Sequence, residues 1–514
     1  MSRSSSDPVI IGVGQSVDRI GAPTYKASSA SDLAADAARA AARDAGLGED
    51  ALRRCDAIAT TRTFEDSRPQ PAIFGKSLNF PRSIARRLSM EPRYAAWTKA
   101  GGNTPQDLVN EFSERIAAGE FNLLLLTGAE AISTVRSAQA RGITLDFSED
   151  PGGQVEDRGA GLDEFRDPLM DKHGLSNPTL VYAVAENARR KRLGLTREAY
   201  AREMGELFAP LSAVAHRNPW SAWDVPAYSP DELTTVGQHN RWIADPYPLR
   251  LVARDQVNLG AAVLLASRQA ALDLGIPEDR LVYLHGYARA VEKSVLHRLD
   301  LGASPAAAAA SRLALLYAGV GVEGVSTFDF YSCFPIAVSN VAIDAFGLSP
   351  HEPRGLSVTG GLPFFGGPGN NYSMHAIVEM VERVRKTDGR PGFVGANGGY
   401  LSKYTVGLYS SSPRPWKQCD SRALQAELDA VPSPEVLHAY EGRGRVESYT
   451  VQHNKGGLGY AVVVGRTDDD KRFIARSSWD DPETCLRAHE DDVIGANIEV
   501  TSPAGINYFT FAAP

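Results

Sequence analysis

Cysteine is scarce: four residues in 514, Cys55, Cys333, Cys419 and Cys485, with no Cys-x-x-Cys and no Cys/His cluster. That spacing argues against a zinc-ligand set and a disulfide framework, and no metal site is expected. Long apolar runs are missing too, and none approaches the roughly 20 residues that cross a bilayer. Residues 1–7 are polar and Ser-rich, without the apolar centre of a signal peptide. A cytoplasmic protein with free thiols is the expectation. Basic residues fall short, 54 Lys and Arg against 62 Asp and Glu, a net charge of −8. On that balance neither nucleic acid nor an anionic membrane is expected as a partner, although a local basic patch for a phosphorylated ligand is compatible with it. The glycine-rich run 360–371 lacks the Lys-Ser/Thr and Gly-x-Gly-x-x-Gly contexts of Walker-type and dinucleotide-binding loops.

What is present is length and glycine. A chain of 514 residues exceeds the ~100–200 of one ordinary domain, so two or three folded units are expected. Its 47 glycines cluster in loops that look ligand-facing, above all residues 360–371. Apolar runs at 8–13, 57–61 and 121–128 read as strands. Ala-rich or capped segments at 29–45 and 105–118 read as helices. The rhythm breaks over residues 142–248, rich in Asp, Pro and Trp, and resumes at 260–271. It then starts over: strands at 281–287, 327–330, 392–395 and 406–410, helices at 304–318, 335–346 and 371–386. This alternation predicts a mainly parallel sheet with helices on its faces, in two halves of similar order. Residues 411–416 form a linker by composition. Short alternating strands follow at 449–452, 459–464, 472–475, 497–501 and 507–512, predicting a small barrel or sandwich.

Several strings carry a family resemblance by their order and spacing. They are Tyr182-Ala-Val-Ala-Glu-Asn-Ala, Asn218-Pro-Trp-Ser-Ala-Trp, Asp245-Pro-Tyr-Pro and Asp255-Gln-Val-Asn-Leu-Gly-Ala-Ala in the first part. In the second come Tyr331-Ser-Cys-Phe-Pro, Thr359-Gly-Gly-Leu-Pro-Phe-Phe-Gly-Gly-Pro-Gly and Ala396-Asn-Gly-Gly-Tyr-Leu-Ser-Lys. Across residues 8–412 the chain resembles the thiolase superfamily, and most closely the sterol-carrier-type thiolases and thiolase-like proteins with an added C-terminal domain. The resemblance implies an α/β fold of two similar halves in five layers with a helical loop domain, here followed by a β-barrel. The boundaries expected are 1–141 with 249–276 for the first half, 142–248 for the loop domain, 277–412 for the second half and 413–514 for a barrel of oligonucleotide/oligosaccharide-binding type.

A working thiolase needs a nucleophilic cysteine at a helix start, a Gly-His-Pro histidine, an Asn or His that positions the thioester oxygen, and a second cysteine as acid/base. This chain departs at each. Gly102 takes the place of the nucleophile, Tyr331 of the Asn or His, Gly367 of the Gly-His-Pro histidine and Ala396 of the second cysteine. Without a thiolate there, the thiolase acyl-enzyme cannot form. The resemblance still implies acyl-CoA as ligand, with coenzyme A arriving as part of the substrate and no tightly bound cofactor.

Tyr331 is the first candidate for acid/base work, against the alternative of a buried tyrosine that fills the space of an absent histidine. Cys333 and Tyr404 are further candidates, each with a packing alternative. Gly102, Asn103, Gly367, Asn370, Asn371, Asn397 and Gly398 are the expected substrate contacts, with the Gly102 and Asn103 amides at a helix start available to a carbonyl. Tyr372, Tyr400 and His375 read as packed residues, and Lys403 as a phosphate contact or a solvated lysine. Three functions stay open: acyl transfer or, better suited to a missing cysteine, aldolase-type C–C bond chemistry on acyl-CoA; non-catalytic acyl-CoA or lipid binding; or a scaffold whose barrel recruits a partner enzyme of a degradation pathway. A homodimer is possible by resemblance.

Overall fold

The computed structural model describes residues 4–512. The polar start read at residues 1–7 falls partly on residues 1–3, outside the described residues, as do residues 513 and 514 of the expected barrel.

The first strand, β1 (Pro8–Val17), is buried along nearly its whole length. Helix α1 (Ala30–Asp44) follows from a reciprocal cap: Ser29 Oγ accepts from the Asp32 N–H, and the Asp32 carboxylate accepts from the Ser29 N–H. Alanine along its inner face lets α1 press on β1. A Cβ at Gly12 would lie 2.2 Å from Ala41 O and one at Gly14 2.4 Å from Ala37 O, so only glycine allows the approach. Strands β2 (Ala57–Thr60) and β3 (Tyr94–Trp97), helix α2 (Thr104–Ala117), and strands β4 (Leu123–Ala131) and β5 (Glu156–Asp157) continue the first half. The inserted segment holds α3 (Pro178–Arg192) and α4 (Arg197–Arg217), then the short strands β6 (Trp242–Ala244) and β7 (Tyr247–Pro248). Strand β8 (Asn258–Ser267) returns to the first half. The second half comprises β9 (Val282–Val291), α5 (Pro305–Ala318), β10 (Thr327–Phe330), α6 (Tyr372–Val384), β11 (Gly392–Gly398) and β12 (Lys403–Ser410).

Ten strands share one sheet in the order β10-β11-β12-β9-β1-β8-β4-β2-β3-β5. The halves are joined where Val9 and Ile10 pair with Tyr283 and Val282. The expectation of a mainly parallel sheet is corrected: β2–β3, β2–β4, β3–β5 and β10–β11 run parallel, while β1–β8, β1–β9, β4–β8, β9–β12 and β11–β12 run antiparallel. The reason is in the connections. Four residues join β11 to β12, too few for a crossover helix, so the pair must be antiparallel. Strand β8 arrives from the long insertion rather than from a single crossover helix.

Five layers result. Helix α1 and the short helix Phe80–Arg87 cover the outer face of the first half. Helices α2 and α6 lie in the middle, where Val109, Phe112, Met374 and Ile377 pack with residues of both halves. Helix α5 covers the outer face of the second half, and a Cβ at Gly286 would lie 2.4 Å from Ala314 O. The helix expected over 335–346 is shorter and mixed: an α turn at Pro335–Val338, then a π-helical turn at Ser339–Ile343.

Beyond the linker come β13 (Val436–Leu437), β14 (Gly442–Asn454), β15 (Gly457–Arg466), β16 (Arg472–Arg476), α7 (Pro482–Glu490), β17 (Asn497–Thr501) and β18 (Tyr508–Phe511). Their pairings close a ring, β14-β15-β16-β18-β17-β14. Val446, Val463, Phe473, Ile498 and Phe509 belong to its core, with Cys485 and Ala488 of α7 packed among them. The ring is seated on the rest of the chain. Strand β6 of the insertion pairs with β14 at Ala244 and Gln452. Arg472, fully buried, donates to the carbonyls of Leu296 and Arg298 and pairs with Glu447 at 2.6 Å. All four cysteines are free and buried. Among the described residues no helix is long and apolar enough to cross a membrane.

Candidate functional site

Three loops converge at the start of α2. The turn through Ala100, Gly101 and Gly102 enters the helix. The residues after β10 bring Tyr331 and Cys333, and the end of β11 brings Asn397 and Gly398. Tyr331 is fixed by its backbone, whose N–H donates to Gly395 O at 3.1 Å. Its ring meets Tyr372 edge-on, centroids 5.2 Å apart. A Cβ built on Gly102 would lie 2.2 Å from the Tyr331 hydroxyl and 2.6 Å from Asn397 O. The phenol therefore fills the volume that a side chain at position 102 would need.

The chemistry around this contact is that of neutral groups. Burial pushes the Tyr331 hydroxyl well above the ordinary tyrosine range, with Cys333 and Tyr372 adding to it. Burial likewise pushes the Cys333 thiol up to about 12, so it is a thiol and not a thiolate at neutral pH. Asn397 Nδ2 donates to the Tyr182 hydroxyl at 2.7 Å and approaches Cys333 Sγ at 3.8 Å. Its Oδ1 is buried without a hydrogen-bond partner, and so is Asn103 Oδ1. The two unmet acceptors would welcome donors from a ligand. Asn103 is held by Asp107, whose Oδ2 accepts from Nδ2 at 2.6 Å while its Oδ1 accepts from Thr405 Oγ1 at 2.7 Å. Asp107 is thus engaged at both oxygens and is not a free base.

Other expected contacts serve the scaffold. Asn370 Oδ1 accepts from the Gly101 N–H at 2.8 Å and its Nδ2 donates to Arg62 O at 2.6 Å. Asn371 Nδ2 donates to Gly128 O at 2.7 Å and its Oδ1 accepts from Thr61 at 3.1 Å. Both amides pin loops and have little left for a ligand. Gly367 donates its N–H to Arg254 O at 2.7 Å. Gly398 lets Asn103 in, since a Cβ there would lie 2.0 Å from Asn103 Oδ1. Strand alternation puts Tyr404 on the face opposite Thr405, so its hydroxyl lies against Gly395 and beside Ser311 of α5, not beside Gly102. His375 Nδ1 bonds Gln15 at 2.6 Å, and burial drops its pKa to about 3. Tyr372 shares a 2.6 Å hydrogen bond with Thr359, and Tyr400 donates to Ser176 O at 3.3 Å. Lys403 is taken by Glu164.

Tyr182 of α3 is the residue that sequence reasoning passed over. It donates to Gly399 O and accepts from the Leu401 N–H, both at 3.2 Å, and stacks on Phe334 at 4.4 Å. It stands in a string that carries the family resemblance, and its partners, Asn397, Gly399 and Leu401, lie more than 200 positions away.

The comparisons with known proteins agree with this architecture. Residues 423–503 match the model of the thiolase-like protein type 1 additional C-terminal domain. No curated protein matches. The crystal structure of a monomeric SCP2-thiolase like protein type 1 from Mycobacterium smegmatis is 40% identical, covers 99% of this chain and 100% of its own, and superposes with a TM-score of 0.85. Two more distant structures share the fold. An acetyl-CoA acetyltransferase from Syntrophomonas wolfei has 16% identity, 79% and 99% coverage and a TM-score of 0.55. The dimeric peroxisomal thiolase of Saccharomyces cerevisiae has 13% identity, 80% and 99% coverage and a TM-score of 0.56. By its identity and full-length match to the first of these, the chain belongs to the SCP2-thiolase-like protein type 1 family.

Proposed function

We propose that this protein binds acyl-CoA thioesters at the Gly102–Tyr331–Asn397 junction and does not form an acyl-enzyme. The observation that carries this reading is the Tyr331 hydroxyl in the volume of a residue-102 side chain. Neither a thiolate nor a free base adjoins it. The Gly102 and Asn103 amides and the Tyr331 hydroxyl are the donors for the thioester oxygen, and the unmet oxygens of Asn103 and Asn397 take amide donors of the ligand. Coenzyme A belongs to the ligand and not to a resident cofactor. The unit boundaries at 141, 248, 276 and 412 and a cytoplasmic location are part of the same reading. So is an oligonucleotide/oligosaccharide-type barrel, supported by the ring order of its strands. Its acidic segments, Asp468–Asp470 and Glu490–Asp492, argue against a nucleic-acid partner.

A second reading has one observation in its favour. Tyr331 is held protonated, which suits donation to the enolate oxygen formed when a C–C bond next to a thioester breaks. Calorimetric titration with CoA, acetyl-CoA and an aryl acyl-CoA, with product analysis of the same samples, separates the cases. Binding with the ester recovered intact supports the binding reading. A shortened or lengthened acyl chain, lost in Tyr331→Phe, supports the C–C reading. A covalently acylated protein overturns both, and no binding of any ester leaves the scaffold role.

A further inference from the structure

A cavity of about 450 Å³ opens in the first half, between the loop after β2, the end of β4 with the helix Ile132–Ala140, and the start of α1. Its size is that of a small-molecule site. Tyr331, Cys333 and Asn397 do not line it, so it is separate from the junction described above. Phe64, Phe80, Ile132 and Val135 give it apolar walls.

Most of its charged lining is already matched. Arg136 grips Asp255 through both Nη atoms, at 2.9 and 2.8 Å. Lys76 holds Asp66 at 3.2 Å. The Arg68 guanidinium lies over the Phe64 ring at 5.9 Å, and its charge acts on Glu65. Glu130 is left over. It is 2% exposed, and its one hydrogen bond is from the Phe64 N–H to Oε1, at 2.7 Å. No cation pairs with it among the described residues. The charges acting on it most strongly, Asp66, Glu65 and Asp255, are all carboxylates. Gly369 allows the carboxyl to sit here, since a Cβ at that position would lie 2.0 Å from Oε1. A buried carboxyl with one hydrogen bond is costly as an anion unless a cation meets it.

Among the described residues no group of three or more His, Cys, Asp or Glu is placed to hold a metal ion. One carboxyl between aromatic and aliphatic walls suits a different guest. We propose that the cavity binds an organic cation, a primary ammonium that pairs with Glu130 while its hydrocarbon part lies on Phe64, Phe80, Ile132 and Val135. In the empty cavity burial holds the Glu130 carboxyl well above the ordinary glutamate range. On binding, the ammonium keeps its protons and favours the Glu130 carboxylate, so the proton the carboxyl carries is drawn off to solvent.

The test is calorimetry at pH 7 in two buffers of different ionisation enthalpy, with phenethylammonium as probe and phenethyl alcohol as its neutral counterpart. The expected result is binding of the ammonium at least about tenfold tighter than the alcohol, with a buffer-dependent heat that reports the released proton. Glu130→Gln, which keeps an acceptor for the Phe64 N–H, is expected to remove that preference. Val135→Trp, a partly exposed position that fills the cavity, is expected to abolish binding and serves if the first variant does not fold. No binding of the ammonium, equal binding of the alcohol, or an undiminished preference in Glu130→Gln overturns the proposal. None of these outcomes depends on acyl-CoA binding.

Discussion

The hydroxyl of Tyr331 and the α-carbon of Gly102 exclude any side chain between them: a Cβ at 102 would lie 2.2 Å from that hydroxyl. The missing nucleophile and the tyrosine are one feature, and neither can be reversed alone. Gly102→Cys is expected to destabilise the protein by about 1–3 kcal/mol through overpacking, without gaining acyl transfer. Gly102→Cys with Tyr331→Ala is expected to recover part of that loss, a coupling that chemical denaturation of the four species measures directly. Strictly additive effects would refute the shared volume.

Seating of the C-terminal ring depends on Arg472, which is fully buried and bonds Glu447 and two carbonyls of the second half. Arg472→Ala takes the donor from the two buried carbonyls and leaves Glu447 to Arg466 alone, and is expected to cost about 3–5 kcal/mol. Arg443 pairs with Glu499 at 2.9 Å but is 84% exposed at its side chain, and Arg443→Ala is expected to cost no more than about 1 kcal/mol. Urea denaturation of both variants checks the contrast.

His375 predicts an acid-sensitive interior. Its folded pKa, about 3, lies below the 6.5 of the unfolded chain because burial penalises the charged ring. The unfolded chain therefore binds the extra proton first as pH falls. The contribution is intact above pH 6.5 and is lost as pH drops towards 3, at up to about 1.4 kcal/mol per pH unit. His375→Gln, which can still bond Gln15, is expected to flatten that part of the stability–pH curve. An unchanged slope between pH 6 and 4 would show that the ring does not stay neutral when folded.

The edge of the main sheet is closed from within the chain. Glu156 and Asp157 pair with Ala96 and Trp97 of β3. The strap is held by Arg158 on Glu111, at 2.7 Å through both Nη atoms, and by Asn79 Nδ2 on Gly152 O at 3.1 Å and Gly153 O at 3.0 Å. Covered edges do not template pairing with another chain. The protein is expected to run as one chain per particle in light scattering after size exclusion, and a dimer would contradict this role of the strap. A single-chain particle would set aside the homodimer that the family resemblance left open.

Much of the molecule is legible in local sequence. Ser29 and Asp32 mark the start of α1, the run Leu123–Leu126 marks a doubly buried strand, and Gly102, Gly367 and Ala396 at three motif positions already exclude the thiolase acyl-enzyme. These depend on capping, burial pattern and residue type, all set within a few positions of the chain. Tertiary structure decided the rest. That the Tyr331 phenol occupies the space above Gly102 depends on two segments 229 positions apart. That Asn370 and Asn371 spend their amides on Arg62 and Gly128, and that Tyr404 faces α5, follow from packing partners no local pattern names. Strand direction at β8 and β12, closure of the C-terminal ring and the unpaired state of Glu130 likewise arise only when distant segments meet, because pairing and desolvation belong to the assembled interior.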